Sequence, residues 1–370
     1  MSLSYHSFRA ARKVLFGLAA GLFLASCDPK EDPVTPSYEV PTTYAFENVS
    51  YAGQTARLQM LGELVKYVET ANKPGVVLDA QKLRNMYANT GNPFDDATLN
   101  TSGKQLKDKT ILSEQANIER LLDEAAAASR STTPGSNGVT GVVTTKDNSR
   151  SYLLSPQGME YAELIEKSIM GTVFYFQATG VYLSEEKTGD AVDNTTVKPG
   201  EGTPMEHHWD EAFGYLGVPV DFPANKTGLL FWGDYVNRRD PQLGSNATLM
   251  DAFLKGRAAI SNKDMAGKNA ATAVIREEWE RVIAATAINY LNRAKTNMSD
   301  DAFRSHVLSE AIGFINALRF SPVKKISNPQ VDQVLGFIGT DLYAVKAADL
   351  DKARDLLASV YGFTDKKDAL

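Results

Sequence analysis

Residues 206–217 read EHHWDEAFGYLG and hold two of the four histidines in the 370-residue chain. Apolar residues recur there at i, i+3, i+4 and i+7, which predicts an amphipathic helix. His208 and Glu211 fall one turn apart on a neighbouring face, and His207 lies four residues before Glu211. An imidazole and a carboxylate at this spacing can bind a divalent metal or share a proton. The stretch therefore predicts a helix that carries a candidate site.

A metal centre at this helix needs ligands from elsewhere in the fold. His-x-x-Glu supplies two ligands, whereas a zinc or iron centre takes three or four. His306 and Glu310, at i and i+4, repeat the same residue pair, and helical bundles can hold metals between such pairs. We therefore predict that His208, Glu211, His306 and Glu310 share one divalent ion, iron or zinc. The alternative is that the histidines are structural and pack beside Trp209.

Aromatic residues are concentrated between residues 174 and 235. They could line a ligand cleft, or they could fill a well-packed core. On the first interpretation, His207, Trp209 and Tyr215 are the predicted ligand-binding residues beside the metal ligands. The chain lacks a His-Glu-x-x-His signature, a phosphate-binding loop and a Gly-x-Ser-x-Gly elbow, so none of these common catalytic motifs supports an enzyme.

The first residues have the pattern of a bacterial lipoprotein signal peptide. Arg9, Arg12 and Lys13 precede a short apolar run, which is too short to span a bilayer as a mature helix. The run ends in Leu-Ala-Ser-Cys, which matches a lipobox and places the single cysteine, Cys27, at the lipidated position. We expect cleavage of residues 1–26 and a lipidated tether over residues 27–50. The alternative is an isolated cysteine after a chance apolar run.

Composition and charge restrict the partners. Removing residues 1–26 takes away three basic residues and leaves 36 basic against 45 acidic residues, a formal charge of −9. This charge argues against nucleic-acid binding, so the expected partners are the membrane, through N-terminal acyl chains, and a small ligand or an envelope protein. Lys30, Glu31 and Asp32 follow the cysteine and resemble a surface-export signal, or they form an ordinary charged tether. We expect an outer-membrane lipoprotein, which the surface-export interpretation would place on the cell surface.

Helical periodicity dominates the mature chain, and period-2 segments are scarce. The longest apolar pattern predicts a central helix from Ser155 to about Leu183, with Ser155 as N-cap and Pro156 at the first position. Residues 138–145 have enough β-branching for a short hairpin, although a loose loop fits equally well. We predict an all-α fold of two packed helical-bundle halves, residues 51–217 and 218–370.

The lipobox, the helical order, residues 206–215 and the later Ser309-Glu310-Ala311-Ile312 resemble a family of uncharacterised secreted bacterial lipoproteins. That family is distantly similar to the imelysin-like proteins, which are helical, have two bundle-like halves and are associated with iron acquisition. The imelysin-like motif is Gly-x-His-x-x-Glu; His208 and Glu211 match its histidine and its glutamate, and Glu206 stands in place of the glycine.

The resemblance implies an imelysin-like, iron-associated envelope protein. We expect a non-enzymatic accessory in binding or uptake, for iron or an iron-containing ligand. A metal-dependent hydrolase of imelysin-like type and a structural or partner-binding surface lipoprotein are the alternatives. The sequence leaves the ligand, the cofactor and the oligomeric state open.

Overall fold

Helices make up most of the part of the chain, residues 37–370, that our computed structural model describes. The α-helices are α1 (Ala52–Glu69), α2 (Ala80–Ala88), α3 (Ala97–Thr101), α4 (Leu112–Ala128), α5 (Tyr161–Ile169), α6 (Glu185–Thr188), α7 (Pro204–Gly214), α8 (Trp232–Leu243), α9 (Ser245–Ser261), α10 (Met265–Thr296), α11 (Asp301–Ala317), α12 (Asn328–Ile338) and α13 (Ala347–Tyr361). A π-helix, Met170–Tyr182, follows α5 directly. The predicted all-α class is therefore confirmed.

One antiparallel hairpin interrupts the helices. Strands β1 (Gly141–Thr144) and β2 (Ser151–Leu154) pair in register from Gly141 opposite Leu154 to Thr144 opposite Ser151. Of the two interpretations of this region, the short hairpin is the one that forms. The β-branched residues of β1 suit a pleated strand, and residues 145–150 close the turn.

Polar side chains at the N-caps explain where several helices begin. Asp79 accepts hydrogen bonds from the Gln81 and Lys82 amides at the start of α2. Asp264 and Asp300 cap α10 and α11 through their own carboxylates. Each cap satisfies an amide that has no partner inside the helix, which typically stabilises the helix by about 1 kcal/mol.

The predicted helix from Ser155 begins later and changes its winding. The Ser155 hydroxyl accepts from the Gln157 and Met159 amides, so it closes a turn, and α5 begins at Tyr161. From Met170 the winding is π. The Trp232 indole donates to the Met170 carbonyl, and Arg276 donates to the Thr179 carbonyl, so side chains of other helices reach into this backbone. Periodicity did not reveal these tertiary donors.

The α5–π segment lies side by side with α11, and both run in the same direction. Gly313 faces Lys167, and a Cβ atom at Gly313 would lie 2.3 Å from the Lys167 Cβ. Four residues further along, Gly171 faces Ala317, where an added Cβ would approach to 2.9 Å. The two glycines therefore permit a close approach, which sets the register of α11 against α5.

A single buried apolar cluster extends through nearly all of the described helices. Trp209, Trp232 and Trp279 are fully buried in it. Most of the concentrated aromatic residues therefore fill the core, which was one of the two interpretations of the sequence.

Residues 38–370 form one compact unit, and the division into halves at residue 217 stays a prediction. The predicted signal peptide, Cys27 and the first part of the tether lie outside the described residues. None of the helices in the described part is long and apolar enough to cross a bilayer.

Candidate functional site

The start of α7 explains why a glutamate stands at position 206. Thr203 is the N-cap, and its hydroxyl accepts from the Glu206 amide while the Glu206 carboxylate accepts from the Thr203 amide. This reciprocal pair is a capping box. Glu206 also pairs with the buried Arg257 at 2.6 Å. The glutamate therefore anchors the helix that carries the histidines, and a glycine could do neither.

The predicted pair on α7 is formed in the structure. His208 Nδ1 lies 3.2 Å from Glu211 Oε2, and His207 Nε2 lies 3.8 Å from the same oxygen. Gln54 on α1 donates to Glu211 Oε1 at 2.9 Å. Burial alone would raise the pKa of Glu211, but the hydrogen bonds from His208 and Gln54 outweigh it and lower the pKa. Glu211 is therefore a carboxylate with both oxygens engaged.

A polar cleft opens beside this pair, and we call it the α1–α7 cleft. Its volume is about 390 Å³, within the size range of small-molecule sites. Its walls come from the start of α1, the loop before α4 and one face of α7. The lining residues are Ser50, Tyr51, Ala52, Gly53, Gln54, Arg57, Gly103, Lys104, Asp108, Lys109, Glu201, His207 and Glu211.

The predicted binding residues have different positions. His207 lines the cleft. Tyr215 is fully buried, and its hydroxyl has no hydrogen-bond partner among the described residues. Trp209 is also fully buried, its indole donates to the Phe253 carbonyl at 3.0 Å, and its ring packs against Gly256. Trp209 is therefore a core residue with its only polar atom already bonded, and its place in a ligand site stays a prediction.

His306 belongs to a second cluster, which we call the α5–α11 cluster: Glu160, Glu163, Glu166, Lys167, His306 and Glu310. His306 Nδ1 lies 2.7 Å from Glu160 Oε2 and 3.6 Å from Glu163 Oε1. On its other side, His306 Nε2 lies 3.4 Å from Glu310 Oε1. The imidazole also stacks on Tyr152, with ring centroids 4.5 Å apart. The predicted pair of His306 and Glu310 is thus formed, with two further carboxylates around it.

Lys167 lies within the same cluster and is only 3% exposed. Its ammonium contacts Glu166 at 2.6 Å, Glu163 at 2.8 Å and Glu310 at 3.5 Å. Burial would lower the pKa of Lys167, but the charges of Glu163 and Glu166 outweigh it and raise the pKa well above its usual value. Lys167 is therefore a permanent internal cation for the carboxylates around it.

The carboxyl groups of this cluster differ in their protonation. Burial raises the pKa of Glu160 and, more strongly, that of Glu163. Burial would also raise the pKa of Glu310, but Lys167 and His306 outweigh it and lower the pKa. Groups with perturbed pKa values that face a pocket are candidates for function. A pocket of about 340 Å³, bounded by Phe231 and other residues, shares Glu163, Lys167 and Glu310 with the cluster.

The structure keeps the two predicted histidine pairs apart. His306 contacts Glu160 at the start of α5, whereas the His208 ring lies 6.1 Å from that of Tyr182 at the end of the π-helix. These two positions are 22 residues apart on one continuous helical segment, which amounts to roughly 30 Å at about 1.5 Å per residue. The predicted single ion shared by His208, Glu211, His306 and Glu310 is therefore not formed, because α7 and the start of α11 meet opposite ends of that segment.

The structure instead assembles a ligand set that we did not predict. Donor atoms of Glu160, Glu163 and His306 all lie within 4.8 Å of one another, the one such triple among the described residues. Their sequence signal is a run of charged residues at 160, 163, 166 and 167 within an otherwise apolar helix. Charges on an apolar helix indicate a buried partner, but nothing local identifies that partner as His306.

These features define a mostly α-helical protein with a polar cleft and a buried cluster of carboxylates around one imidazole and one ammonium. Residues 41–364 match the family described as Domain of unknown function (DUF4856), and the chain belongs to that family. No curated protein and no solved structure matches the chain. The expectation of an uncharacterised family is thus confirmed, and the similarity to imelysin-like proteins stays a resemblance.

Proposed function

We propose that this protein is an envelope lipoprotein that binds a divalent metal, with iron the leading candidate, and acts as a non-enzymatic accessory in its uptake. The observation that carries the proposal is the convergence of Glu160, Glu163 and His306. Imidazole and carboxylate donors together suit iron and zinc. Glu310 lies on the other side of the imidazole, 3.4 Å from Nε2, where it can orient the ring of a ligand that binds through Nδ1.

The spacing of the donors supports an ion of this kind. Metal–ligand bonds of about 2.0–2.2 Å place neighbouring donors roughly 3 Å apart. His306 Nδ1 lies 2.7 Å and 3.6 Å from the nearest oxygens of Glu160 and Glu163. Only small side-chain shifts would therefore bring all three donors onto one ion.

The charge of the cluster favours a cation. Glu160, Glu163, Glu166 and Glu310 contribute four carboxyl groups, and Lys167 supplies a single permanent positive charge. Buried carboxylates without enough counter-charge either keep a proton or bind a cation. The raised pKa of Glu163 means that its carboxyl group holds a proton more readily than usual. A divalent ion bound there would replace that proton. The neighbouring 340 Å³ pocket offers the ion a route from solvent.

Attachment to the envelope rests on the first residues of the chain. The basic residues, the apolar run and Leu-Ala-Ser-Cys together support cleavage before Cys27 and acylation of its thiol. Two or more acyl chains hold a protein stably on a membrane. Cys27→Ser should move the protein from the membrane fraction to the soluble fraction of the cell.

Calorimetric titration of metal-free protein with Fe(II), Zn(II) and Mn(II) tests the metal proposal. We expect about one equivalent to bind, and His306→Ala and Glu160→Gln to weaken binding by more than about tenfold. His208→Ala is the matched control, because it removes the histidine that contacts Glu211 on α7 and leaves the cluster intact. Circular dichroism of each variant checks that it folds.

Two outcomes would contradict this proposal. The first is the absence of saturable binding by wild-type protein for all three metals. The second is binding that survives in folded His306→Ala but is lost in His208→Ala, which would place the ion at α7 instead.

A further inference from the structure

We propose that the α1–α7 cleft is a second binding site, for a small molecule that carries carboxylate or phosphate groups. The inference concerns a different part of the fold from the α5–α11 cluster and does not depend on metal binding. It rests on which polar groups of the cleft are already paired and which are free.

The acidic side chains of the cleft are already engaged. Asp108 receives both of its hydrogen bonds from Arg57 Nη2 at 3.3 Å. Glu201 pairs with Lys198 at 2.7 Å. Glu211 accepts from Gln54 and contacts His208, as described above. Asp108 and Glu201 are therefore paired with basic side chains, and both oxygens of Glu211 are already engaged.

Two basic side chains of the cleft, in contrast, are not neutralised. Lys104 and Lys109 have no carboxylate within 4.0 Å in the described part of the chain. The Lys109 ammonium instead lies 5.7 Å from the centre of the Tyr182 ring. Ammonium groups that converge on a cavity are strong donors for carboxylate and phosphate oxygens.

The backbone adds donors at the same wall. Helix α1 is 18 residues long, and it begins at the cleft without a side-chain cap and without an acidic residue in its first turn. The Gln54 and Thr55 amides bond to the Tyr51 carbonyl, and the Ala52 and Gly53 amides have no acceptor among the described residues. Free amides at a helix N-terminus attract anions.

Two buried polar atoms at or next to the cleft have no hydrogen-bond partner among the described residues. The Tyr215 hydroxyl is inaccessible to solvent and unbonded in the described part of the chain. Burial raises its pKa, so it stays a donor, and the charged groups that act on it are Arg57, Glu211 and Asp108, which all line the cleft. His207 Nδ1, in the cleft wall, is also buried and unbonded among the described residues. Because His207 lines the cleft, an acceptor-rich guest there would give its Nδ1 a partner.

Titration calorimetry at low ionic strength with citrate, inorganic phosphate and neutral glucose tests the site. We expect saturable binding of citrate or phosphate and none of glucose; the two anions show whether the site prefers carboxylates or phosphates. Lys104→Ala and Lys109→Ala should each weaken binding by about tenfold. Lys107→Ala is the matched control, since it lies on the same loop but pairs with Glu119 at 2.6 Å outside the cleft, and its affinity should equal that of wild type.

The proposal is overturned if neither anion binds saturably at millimolar concentration. Equal weakening by Lys107→Ala and Lys104→Ala would also overturn it, because a general electrostatic attraction would then account for the binding. Repeating the titration with His306→Ala separates the two sites: anion binding should be unchanged in a variant that has lost the metal.

Discussion

At the scale of single residues, Arg257 is fully buried and holds two α7 carboxylates. Its guanidinium contacts Glu206 at 2.6 Å and Asp210 at 3.0 Å, and Asp210 also accepts from Tyr44 at 2.8 Å. The two acids respond differently. Burial raises the pKa of Asp210 to about 6 despite Arg257, whereas hydrogen bonds from Thr203 and Ser261 outweigh burial and lower the pKa of Glu206.

The raised pKa of Asp210 predicts a defined pH dependence of stability. The folded protein binds the Asp210 proton more tightly than the unfolded chain does, and this stabilises the fold. The stabilisation is fully present below the unfolded pKa of about 4 and is lost as pH rises through about 6. The rise from 3.8 to about 6 corresponds to about 3 kcal/mol. The free energy of unfolding of wild type, relative to Asp210→Asn, should therefore fall by up to about 3 kcal/mol between pH 4 and pH 7.

Urea denaturation of both proteins across this range measures the difference. Glu206→Gln is the control of opposite sign, because the stabilisation from Glu206 is present above its unfolded pKa and is lost as pH falls. If the free energy of unfolding depended on pH in the same way for wild type and Asp210→Asn, Asp210 would not be the source of the predicted pH dependence.

At the scale of elements, α9 and α7 approach closely at one glycine. A Cβ atom at Gly256 would lie 2.0 Å from the Trp209 ring, so the indole occupies the space that a side chain would need. The same indole donates to the Phe253 carbonyl one turn earlier on α9. This contact fixes α7 on α9 and thereby holds His207, His208 and Glu211 at the cleft.

Gly256→Ala should therefore destabilise the protein, although alanine is the better helix former. Alanine in place of an unconstrained helical glycine stabilises by about 1 kcal/mol, but an overpacked core contact costs about 1–3 kcal/mol and the clash here is severe. We expect a net loss of about 1–2 kcal/mol in the free energy of unfolding. Gly62→Ala is the matched control, since it lies exposed in α1 with nothing within 4 Å of the added Cβ. The free energy of unfolding of the Gly62→Ala variant should rise by about 0.5–1 kcal/mol.

Urea denaturation at pH 7 distinguishes the two variants. A gain in stability for Gly256→Ala would show that the Trp209 contact does not restrict the helix. Because the clash displaces α7, Gly256→Ala should also weaken anion binding at the α1–α7 cleft.

At the scale of the whole molecule, buried bonds cross the predicted boundary at residue 217 in several places. Trp209 bonds to Phe253, Arg257 to Glu206, and Trp232 to Met170. The α5–α11 cluster also takes residues from both sides, because Glu160 and His306 are partners. Each predicted half therefore depends on the other for the partners of some of its buried polar groups.

We expect residues 38–370 to unfold in one cooperative transition, and residues 38–217 and 218–370 not to fold when expressed separately. Each half alone would expose part of the common apolar cluster and leave buried charges such as Arg257 without partners. Circular dichroism during thermal and urea denaturation measures this. Independent cooperative transitions for both halves would show that they are folding units.

Local signals predicted the elements of the fold well. Apolar periodicity acts within one or two helical turns, so the residues that produce it are neighbours in sequence. The pair of His208 and Glu211 and the pair of His306 and Glu310 formed for the same reason, because i, i+3 and i, i+4 spacing on a helix places side chains together.

The amino-acid sequence by itself determined the helical class and these local pairs. Only the tertiary structure decided that His306 joins Glu160 and Glu163 from 146 and 143 positions away, and that His208 lies at the other end of the π-helix. The physical reason is that helix register depends on close contacts such as Gly313 against Lys167 and Gly256 against Trp209. Those contacts depend on the shapes of distant side chains, which periodicity along the chain does not encode.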